Sequence, residues 1–126
     1  ERGTTLDAGV TAGPLRAGRI TWRAEASVFD ARREGLIVFL QNSQKMIKAF
    51  NLEEARVRGV ETSLKLRAPL GLMGSGAYTW QDARNTGPSP TYNGRMLPYE
   101  PAHDAMVRLR WRRSAGEIEY DAHYQS

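Results

Sequence analysis

The chain is predicted to be all-β, an antiparallel up-and-down meander of about six strands. One observation behind this prediction is that polar and apolar residues alternate with a period of two over most of the 126 residues. The other is that short segments containing Gly or Pro separate the alternating stretches, as turns do. Alternation with short connections is typical of neighbouring antiparallel strands that each have one apolar and one polar face.

The first predicted hairpin has its link at residues 13–19, between two alternating stretches. Its register is left open by the residues. Pairing Ala12 with Ile20 would set Asp7 against Glu25. Two like charges directly opposite each other destabilise a sheet, so this pairing argues for a shifted register.

The second predicted hairpin joins residues 57–67 to residues 72–82. Its turn is Ala68-Pro69-Leu70-Gly71, with Pro at the second position and Gly at the fourth, as β-turns favour. Placing Leu66 opposite Leu72 collects apolar side chains on one face and polar side chains on the other. We therefore expect a turn at 68–71.

The third predicted hairpin lies in residues 108–124, RLRWRRSAGEIEYDAHY. Arginines alternate with apolar residues before the Ser-Ala-Gly turn, and acids alternate with apolar residues after it. Pairing Arg112 with Glu117 brings opposite charges together on one face and apolar side chains together on the other. The same register gives these pairs: Arg110 with Glu119, Arg108 with Asp121, Trp111 with Ile118, and Leu109 with Tyr120.

The lengths of the connections favour the wall of a transmembrane β-barrel. The links at 13–19, 68–71 and 113–116 are short, whereas those at about 40–54 and 83–103 are long. Short turns at one edge and long loops at the other are typical of bacterial outer-membrane barrels. A soluble sandwich would also place its charges outward, so the charge pattern alone leaves both architectures open.

Aromatic residues also group near the two edges of the predicted sheet. Trp22 and Trp111 lie near the short turns, and Tyr78, Trp80 and Tyr124 lie near the long loops. Aromatic belts at the two membrane interfaces would have this distribution. The alternative interpretation is that these side chains close the two ends of a soluble core.

Composition excludes several other classes of protein. The chain has no cysteine, which excludes disulfides and thiolate metal sites within it. It has no run of 18 apolar residues, which excludes a transmembrane helix. The net charge of +4 is modest, and the arginine row at 108–112 faces acids across its hairpin, so we expect no nucleic-acid binding.

Catalytic and metal sites are not predicted. His103 and His123 are too few for a metal centre and have no convincing set of partner ligands in the sequence. Asp104 next to His103 could form a general base, but no nucleophile stands at a supporting spacing. We expect neither an enzyme nor a cofactor.

Four stretches of the chain resemble the later barrel strands of TonB-dependent outer-membrane receptors. They are ASVFDARREGLIVF, QNSQ, FNLEEARVRGVETSLKLRAPLGLMGSGAYTWQDAR and YNGRMLPYEPAHDAMVRLRWR, in the order that the family has them. The positions that carry the resemblance are Gly35-Leu36-Ile37, Asn51, Ala55-Arg56, Arg58-Gly59-Val60-Glu61, Tyr78-Thr79, Asp82, Leu97-Pro98, Pro101 and His103.

The resemblance implies a barrel of about 22 strands around a plug domain, in the outer membrane of a Gram-negative cell. Such receptors import scarce ligands such as ferric siderophores with energy from the TonB complex. Residues 1–126 are then expected to be a fragment of the barrel, because no plug and no TonB-contacting segment is recognised in them. The implied partners are outer-membrane lipid, the ligand, and the TonB complex through the missing N-terminal part. The isolated piece could self-associate through its open strand edges.

The loop at 85–102, NTGPSPTYNGRMLPYEPA, contains the candidate ligand-binding residues Tyr92, Asn93, Arg95 and Tyr99. They combine aromatic surface, an amide and a positive charge, which suit an anionic iron chelate, and loops on a rigid scaffold often bind ligands. The alternative interpretation is that Pro, Gly and Asn build turns here while Tyr92 packs the loop. Residues 42–45 form a weaker candidate. A different class of function, a small soluble β-domain that binds a ligand or a protein partner, also stays open.

Overall fold

The computed structural model of the chain describes residues 2–41, 47–88, 93–97 and 100–126, with the backbone alone at 36–41 and 47–53. It contains six strands, which follow one another in a single sheet in the order β1 to β6. The strands are β1 (Arg2–Ala17), β2 (Ile20–Gln41), β3 (Ile47–Ala68), β4 (Leu72–Asn85), β5 (His103–Arg113) and β6 (Gly116–Gln125). The predicted six-stranded meander is therefore confirmed. None of the described segments is a helix that is long and apolar enough to cross a membrane.

The β5–β6 hairpin has the register that the sequence predicts, with Arg112 opposite Glu117. The predicted apolar pairs also form, with Trp111 opposite Ile118 on the other face. On the ionic face, three ion pairs join directly opposite residues: Arg108–Asp121 at 2.6 Å, Arg110–Glu119 at 2.6 Å and Arg112–Glu117 at 3.0 Å. Two diagonal pairs add to them, Arg108–Glu119 at 3.4 Å and Arg110–Glu117 at 3.2 Å. Solvated pairs of this kind contribute only about 0–1 kcal/mol each. Their main effect is to disfavour a one-residue slip, because such a slip would move the charges opposite apolar side chains.

The β4–β5 pairing extends the same two faces across the sheet. Gly74 pairs with Leu109 on the apolar face, and Ser75 pairs with Arg108 on the ionic face. A Cβ at Gly74 would lie 3.4 Å from Cδ2 of Leu109, an ordinary van der Waals contact, so the two residues are neighbours on this face. Gly74, Ser75 and Gly76 are thus part of β4, within the strand predicted at 72–82.

The turn between β3 and β4 is a single 3-10 turn at Pro69–Gly71, within the predicted 68–71 link. Leu70 and Gly71 both have positive φ, 64° and 78°. The indole Nε1 of Trp111 donates a hydrogen bond of 3.1 Å to the carbonyl oxygen of Leu70. This bond fixes the turn against β5 and explains why an aromatic residue with a donor stands at this edge.

The prediction of a link at residues 13–19 is wrong. β1 continues to Ala17, and the turn is confined to Gly18 and Arg19, with φ 62° at Gly18. Gly13-Pro14, at the start of the predicted link, lies inside the strand.

The shift in register argued from the charges is confirmed. Gly9 lies against Ala26 and Ser27, since a Cβ at Gly9 would be 3.1 Å from the carbonyl oxygen of Ala26 and from Cβ of Ser27. Pairing Ala12 with Ile20 would instead set Gly9 opposite a residue of β2 that lies nearer the turn. The position of Gly9 therefore excludes that pairing.

The predicted boundaries of the link at 40–54 are also wrong, whereas the long connection at 83–103 is nearly as predicted. β2 reaches Gln41 and β3 begins at Ile47, so both strands have 22 residues. The apolar run at 36–40 has no strict alternation, so its periodicity does not distinguish a strand from a segment of buried helix. On the other side, β4 ends at Asn85 and β5 begins at His103.

The apolar face of the sheet is exposed. Val10 is 74% exposed, Leu109 48% and Ile118 63%. The buried hydrophobic residues in the described part of the chain are Ala31, Ala55, Ala83 and Leu97. A soluble β-domain would bury its large apolar side chains against a second layer, so the described residues lack the core that this alternative requires.

The chain divides into two compact units. The spanning unit comprises residues 7–28, 59–81 and 101–126. It contains strand segments of nine (Ile20–Val28) to eleven residues (His103–Arg113), which is the length that a tilted strand of about 9–11 residues needs to cross a bilayer. The loop-bearing unit comprises residues 1–6, 29–58 and 82–100 and contains the described part of the long loop.

Candidate ligand-contact loop

The long loop that follows β4 folds back on the end of that strand, and Asn85 holds its base. Asn85 is 6% exposed, and its side-chain Oδ1 accepts a 2.8 Å hydrogen bond from the N–H of Gly87. Its backbone oxygen accepts a bond from the N–H of Gly94, and its own N–H donates to the carbonyl oxygen of Arg95, at 2.8 and 2.9 Å. The first of these contacts is an Asx-type turn, a favoured role of asparagine.

Leu97 anchors the returning segment of the loop. Its N–H donates a 2.9 Å hydrogen bond to the carbonyl oxygen of Ala83, and its side chain is 8% exposed. The side chain packs against Ala55 and Ala83, with Val57 beside them. Two alanines in adjacent strands leave the space that a leucine from the loop can fill. Residues 93–97 are therefore held close to the end of β4.

An ionic cluster around Asp82 connects the strands to the loop. Arg84 Nε donates to Oδ1 of Asp82 at 2.7 Å, and Arg58 Nη2 donates to Oδ2 at 3.1 Å. Arg84 also donates through Nη1 to the carbonyl oxygen of Gly94, at 3.3 Å. The hydrogen bond from Arg84 is the main cause that lowers the pKa of the Asp82 carboxyl below its usual value of about 4, and the bond from Arg58 adds to it.

The described candidate residues of the loop have different surroundings. Asn93 is exposed, but its Nδ2 donates a 2.9 Å hydrogen bond to the carbonyl oxygen of Gly87, so its amide helps to shape the loop. Arg95 is exposed, and its guanidinium makes no ion pair or hydrogen bond with the described residues. Tyr92 and Tyr99 lie outside the described residues, as does the weaker candidate segment at 42–45.

A family model for the β-barrel of TonB-dependent receptor-like proteins matches residues 1–125 of the chain. The chain belongs to this family. No curated protein matches it. Members of the family are receptors and transporters of the outer membrane, and the chain is accordingly part of the barrel wall of such a receptor. The exposed apolar face of its sheet is the surface that a membrane protein of this family requires.

Sequence reasoning on this TonB-dependent receptor barrel missed Asn85, Arg58 and Arg84 as the residues that hold the loop. The Asn-Thr-Gly sequence that begins the loop is an Asx-turn signal and could have indicated Asn85. Nothing in the spacing of Arg58 and Asp82, 24 residues apart, indicates that they meet. Both histidines of the barrel have partners: His103 Nδ1 lies 2.8 Å from the Tyr78 hydroxyl, and His123 Nε2 lies 2.9 Å from Oδ2 of Asp104.

We expect the Asp82 cluster to respond to acid. A carboxyl whose pKa is lowered in the folded state stabilises that state at pH values above its unfolded pKa, and the stabilisation is lost as the pH falls through the folded pKa. Hydrogen exchange of the Gly94 N–H should therefore accelerate as the pH is lowered below about 4, once intrinsic exchange rates are corrected for. In Asp82→Asn the corrected rate should already be raised at pH 7 and should change little with acid. An acid response of Gly94 that is equal in both proteins would show that Asp82 does not hold the loop.

Proposed function

We propose that this chain supplies part of the wall of a Gram-negative outer-membrane receptor that imports a scarce ligand, such as a ferric siderophore, with energy from the TonB complex. The observation that carries the proposal is the combination of an exposed apolar face and an ion-paired face on the same strands. In a barrel wall the first face meets lipid and the second meets a wet lumen. Family membership supports the general role of receptor and transporter.

We further propose that residues 1–126 belong to a longer receptor whose plug and TonB-contacting segment lie N-terminal to them. A sheet of six strands is too narrow to enclose a plugged lumen, which takes about 22 strands. β1 and β6 are the edges of the described sheet, and in a barrel both need further strands to pair with.

The ligand-contact role is proposed for the long loop, with Tyr92, Asn93, Arg95 and Tyr99 as its contact residues. The support is that the base of the loop is fixed by Asn85 and Leu97, while Arg95 is exposed and free of partners among the described residues. A rigid base with an available guanidinium suits the recognition of carboxylate or phenolate oxygens on an anionic chelate.

Cell fractionation and uptake test the proposed function together. An antibody raised against this chain should detect a band much larger than 14.1 kDa in the outer-membrane fraction of the source cells. Deleting the gene should abolish uptake of at least one radiolabelled ferric siderophore from a panel, and de-energising the cells should stop the same uptake. A soluble band near 14.1 kDa would overturn the receptor assignment, whereas an outer-membrane band without siderophore uptake would overturn only the ligand class.

Replacing Arg95 with glutamine is expected to weaken binding of the transported anionic chelate about tenfold. The reason is that a hydrogen bond to a charged group contributes roughly 1.5–3 kcal/mol, so its loss costs at least this factor. The matched control is Arg113→Gln, which removes the same charge from an exposed residue at the end of β5, next to the short turn. Binding titrations on whole cells should show the loss for Arg95→Gln only. An equal loss in both variants would indicate a general charge effect and would remove Arg95 from the site.

A further inference from the structure

A depression lies on the ionic face of the spanning unit, near the short turn between β3 and β4. Its lining includes these side chains of that face: Lys65 and Arg67 from β3, Met73 and Ser75 from β4, and Arg108 and Arg110 from β5. The strands β3, β4 and β5 each have a neighbour on both sides in the described sheet. The depression is therefore formed by this chain alone, whatever strands adjoin β1 and β6.

The four cations of the depression differ in whether an acid neutralises them. Arg108 and Arg110 are paired with acids across the β5–β6 hairpin. Lys65 and Arg67 are exposed, and neither makes an ion pair or a side-chain hydrogen bond within the part of the chain that the structure describes. The wall therefore presents two neighbouring cations, on one strand and one face, that have no counter-charge among those residues.

The described acids of the same face do not supply that counter-charge. Those of β6 are engaged by the arginines of β5. They also lie three strands from β3, about 14 Å away, which exceeds the screening length of about 8–10 Å. Glu25 of β2 is held by Arg23 at 2.7 Å, and Glu61 lies four residues before Lys65 on β3, about 13 Å along the strand. The counter-charge for Lys65 and Arg67 therefore has to come from outside the described sheet.

The size of the depression and the spacing of its cations indicate the kind of group that fits. The volume is about 250 Å³, below the range of about 300–1,000 Å³ that pockets for small-molecule ligands have. The two cations stand two residues apart on a strand, so their Cα atoms are about 7 Å apart. An extended segment that carries two carboxylates at the same spacing suits both the volume and the charge, because carboxylates accept charge-assisted hydrogen bonds from ammonium and guanidinium groups.

We propose that Lys65 and Arg67 bind an acidic segment of the plug, in which two carboxylates stand two residues apart. The inference rests on the proposed function, because it requires a plug inside the barrel and the ionic face directed toward it. It adds to that function a site on the wall and the chemistry of the segment that the site holds. Ser75, which also lines the depression, supplies a hydroxyl donor to the same carboxylates.

Carbodiimide cross-linking of the full-length receptor in outer-membrane vesicles tests this contact. The reagent activates a carboxyl group, and a lysine amine that touches this group displaces the reagent as its urea and forms an amide bond. Mass spectrometry of the digested protein should find Lys65 joined to an aspartate or a glutamate of the plug. Lys65→Arg keeps the charge but has no such amine, so this product should disappear while the other cross-links of the receptor stay.

Hydrogen exchange of the cross-linked plug segment measures how much the contact contributes. In Arg67→Gln the protection of this segment should fall about fivefold, the factor that corresponds to the loss of one solvated ion pair. The matched control is Arg113→Gln. Arg113 is also exposed and makes no ion pair with the described residues, but it is adjacent to Arg112 and therefore lies on the opposite face of β5. Protection in the control should equal that of the wild type.

An amide between Lys65 and an acid of the barrel would overturn the plug contact, as would the absence of a Lys65 product in receptor whose other lysines form amides. Equal protection in Arg67→Gln and the wild type, or equal losses in both variants, would also overturn it. The same preparations separate this inference from the proposed function. A receptor that transports its ligand but gives no Lys65 product with the plug fails the inference alone. A protein that is absent from the outer-membrane fraction, or that has no plug, fails the proposed function instead.

Discussion

Gly71→Ala is expected to destabilise the barrel by more than about 3 kcal/mol, because it combines backbone strain with a steric overlap. Gly71 has φ 78°, a conformation that costs a residue with a side chain about 1–2 kcal/mol. A Cβ there would lie 1.9 Å from the carbonyl oxygen of Arg112. Since the obstacle is backbone of β5, no side-chain rotation relieves the overlap, and the turn must move away from the strand.

The matched control is Gly94→Ala. Gly94 has the same φ of 78°, but nothing lies within 4 Å of a Cβ at that position. It should therefore lose only the conformational part of the effect, about 1–2 kcal/mol. Urea titrations of the protein in lipid vesicles measure both values. Similar losses in the two variants would show that the turn does not pack against Arg112 as described.

Val107→Arg is expected to destabilise the membrane-inserted protein by about 2–4 kcal/mol, the cost of a cation on the lipid face near the middle of the bilayer. Val107 lies near the centre of β5 on the apolar face, and it is 45% exposed. The neighbouring residue Met106 is 42% exposed but lies on the ionic face. Met106→Arg should therefore change stability by less than about 1 kcal/mol.

The two variants distinguish a face that meets lipid from a face that meets water, because the two wild-type side chains are nearly equally exposed. In water, an exposed residue on either face would accept an arginine at a similar small cost. In lipid, only the face directed to the lumen would accept it. Folding titrations of both variants into vesicles give the comparison. Equal costs would mean that the apolar face of β5 does not meet hydrocarbon.

The parts of the fold that could be predicted from sequence are those in which two independent patterns agree. In the β5–β6 hairpin the period of two fixes the faces, and the change from arginines to acids fixes the register, so all five named pairs are correct. At the β1–β2 connection the two patterns conflict. Gly13-Pro14 is a strong local turn signal, but β1 continues through it to Ala17, and the actual turn is the less distinctive Gly18-Arg19.

The candidate loop could be located from its composition, because a long segment rich in Pro, Gly and Asn between alternating stretches has few other interpretations. The contacts that hold the loop in place could not be predicted in this way. The bonds from Arg58 and Arg84 to Asp82, and the burial of Leu97 between two alanines, depend on which residues of different strands become neighbours. Which ligand oxygens Arg95, Asn93 and the tyrosines at 92 and 99 contact stays a prediction.

The central claim is that the sheet is a membrane wall with lipid on one face and water on the other. The measurement that tests it most directly is a scan of single cysteines along His103–Arg113 in receptor that otherwise lacks cysteine, reconstituted in vesicles. Each cysteine carries a spin label, and its accessibility to oxygen and to a water-soluble nickel chelate is recorded. Oxygen accessibility should peak at the odd positions 105, 107, 109 and 111, and nickel accessibility should peak at the even positions between them. Nickel accessibility that is equally high at every position would contradict the claim of a membrane wall and would favour the alternative interpretation, a soluble β-domain.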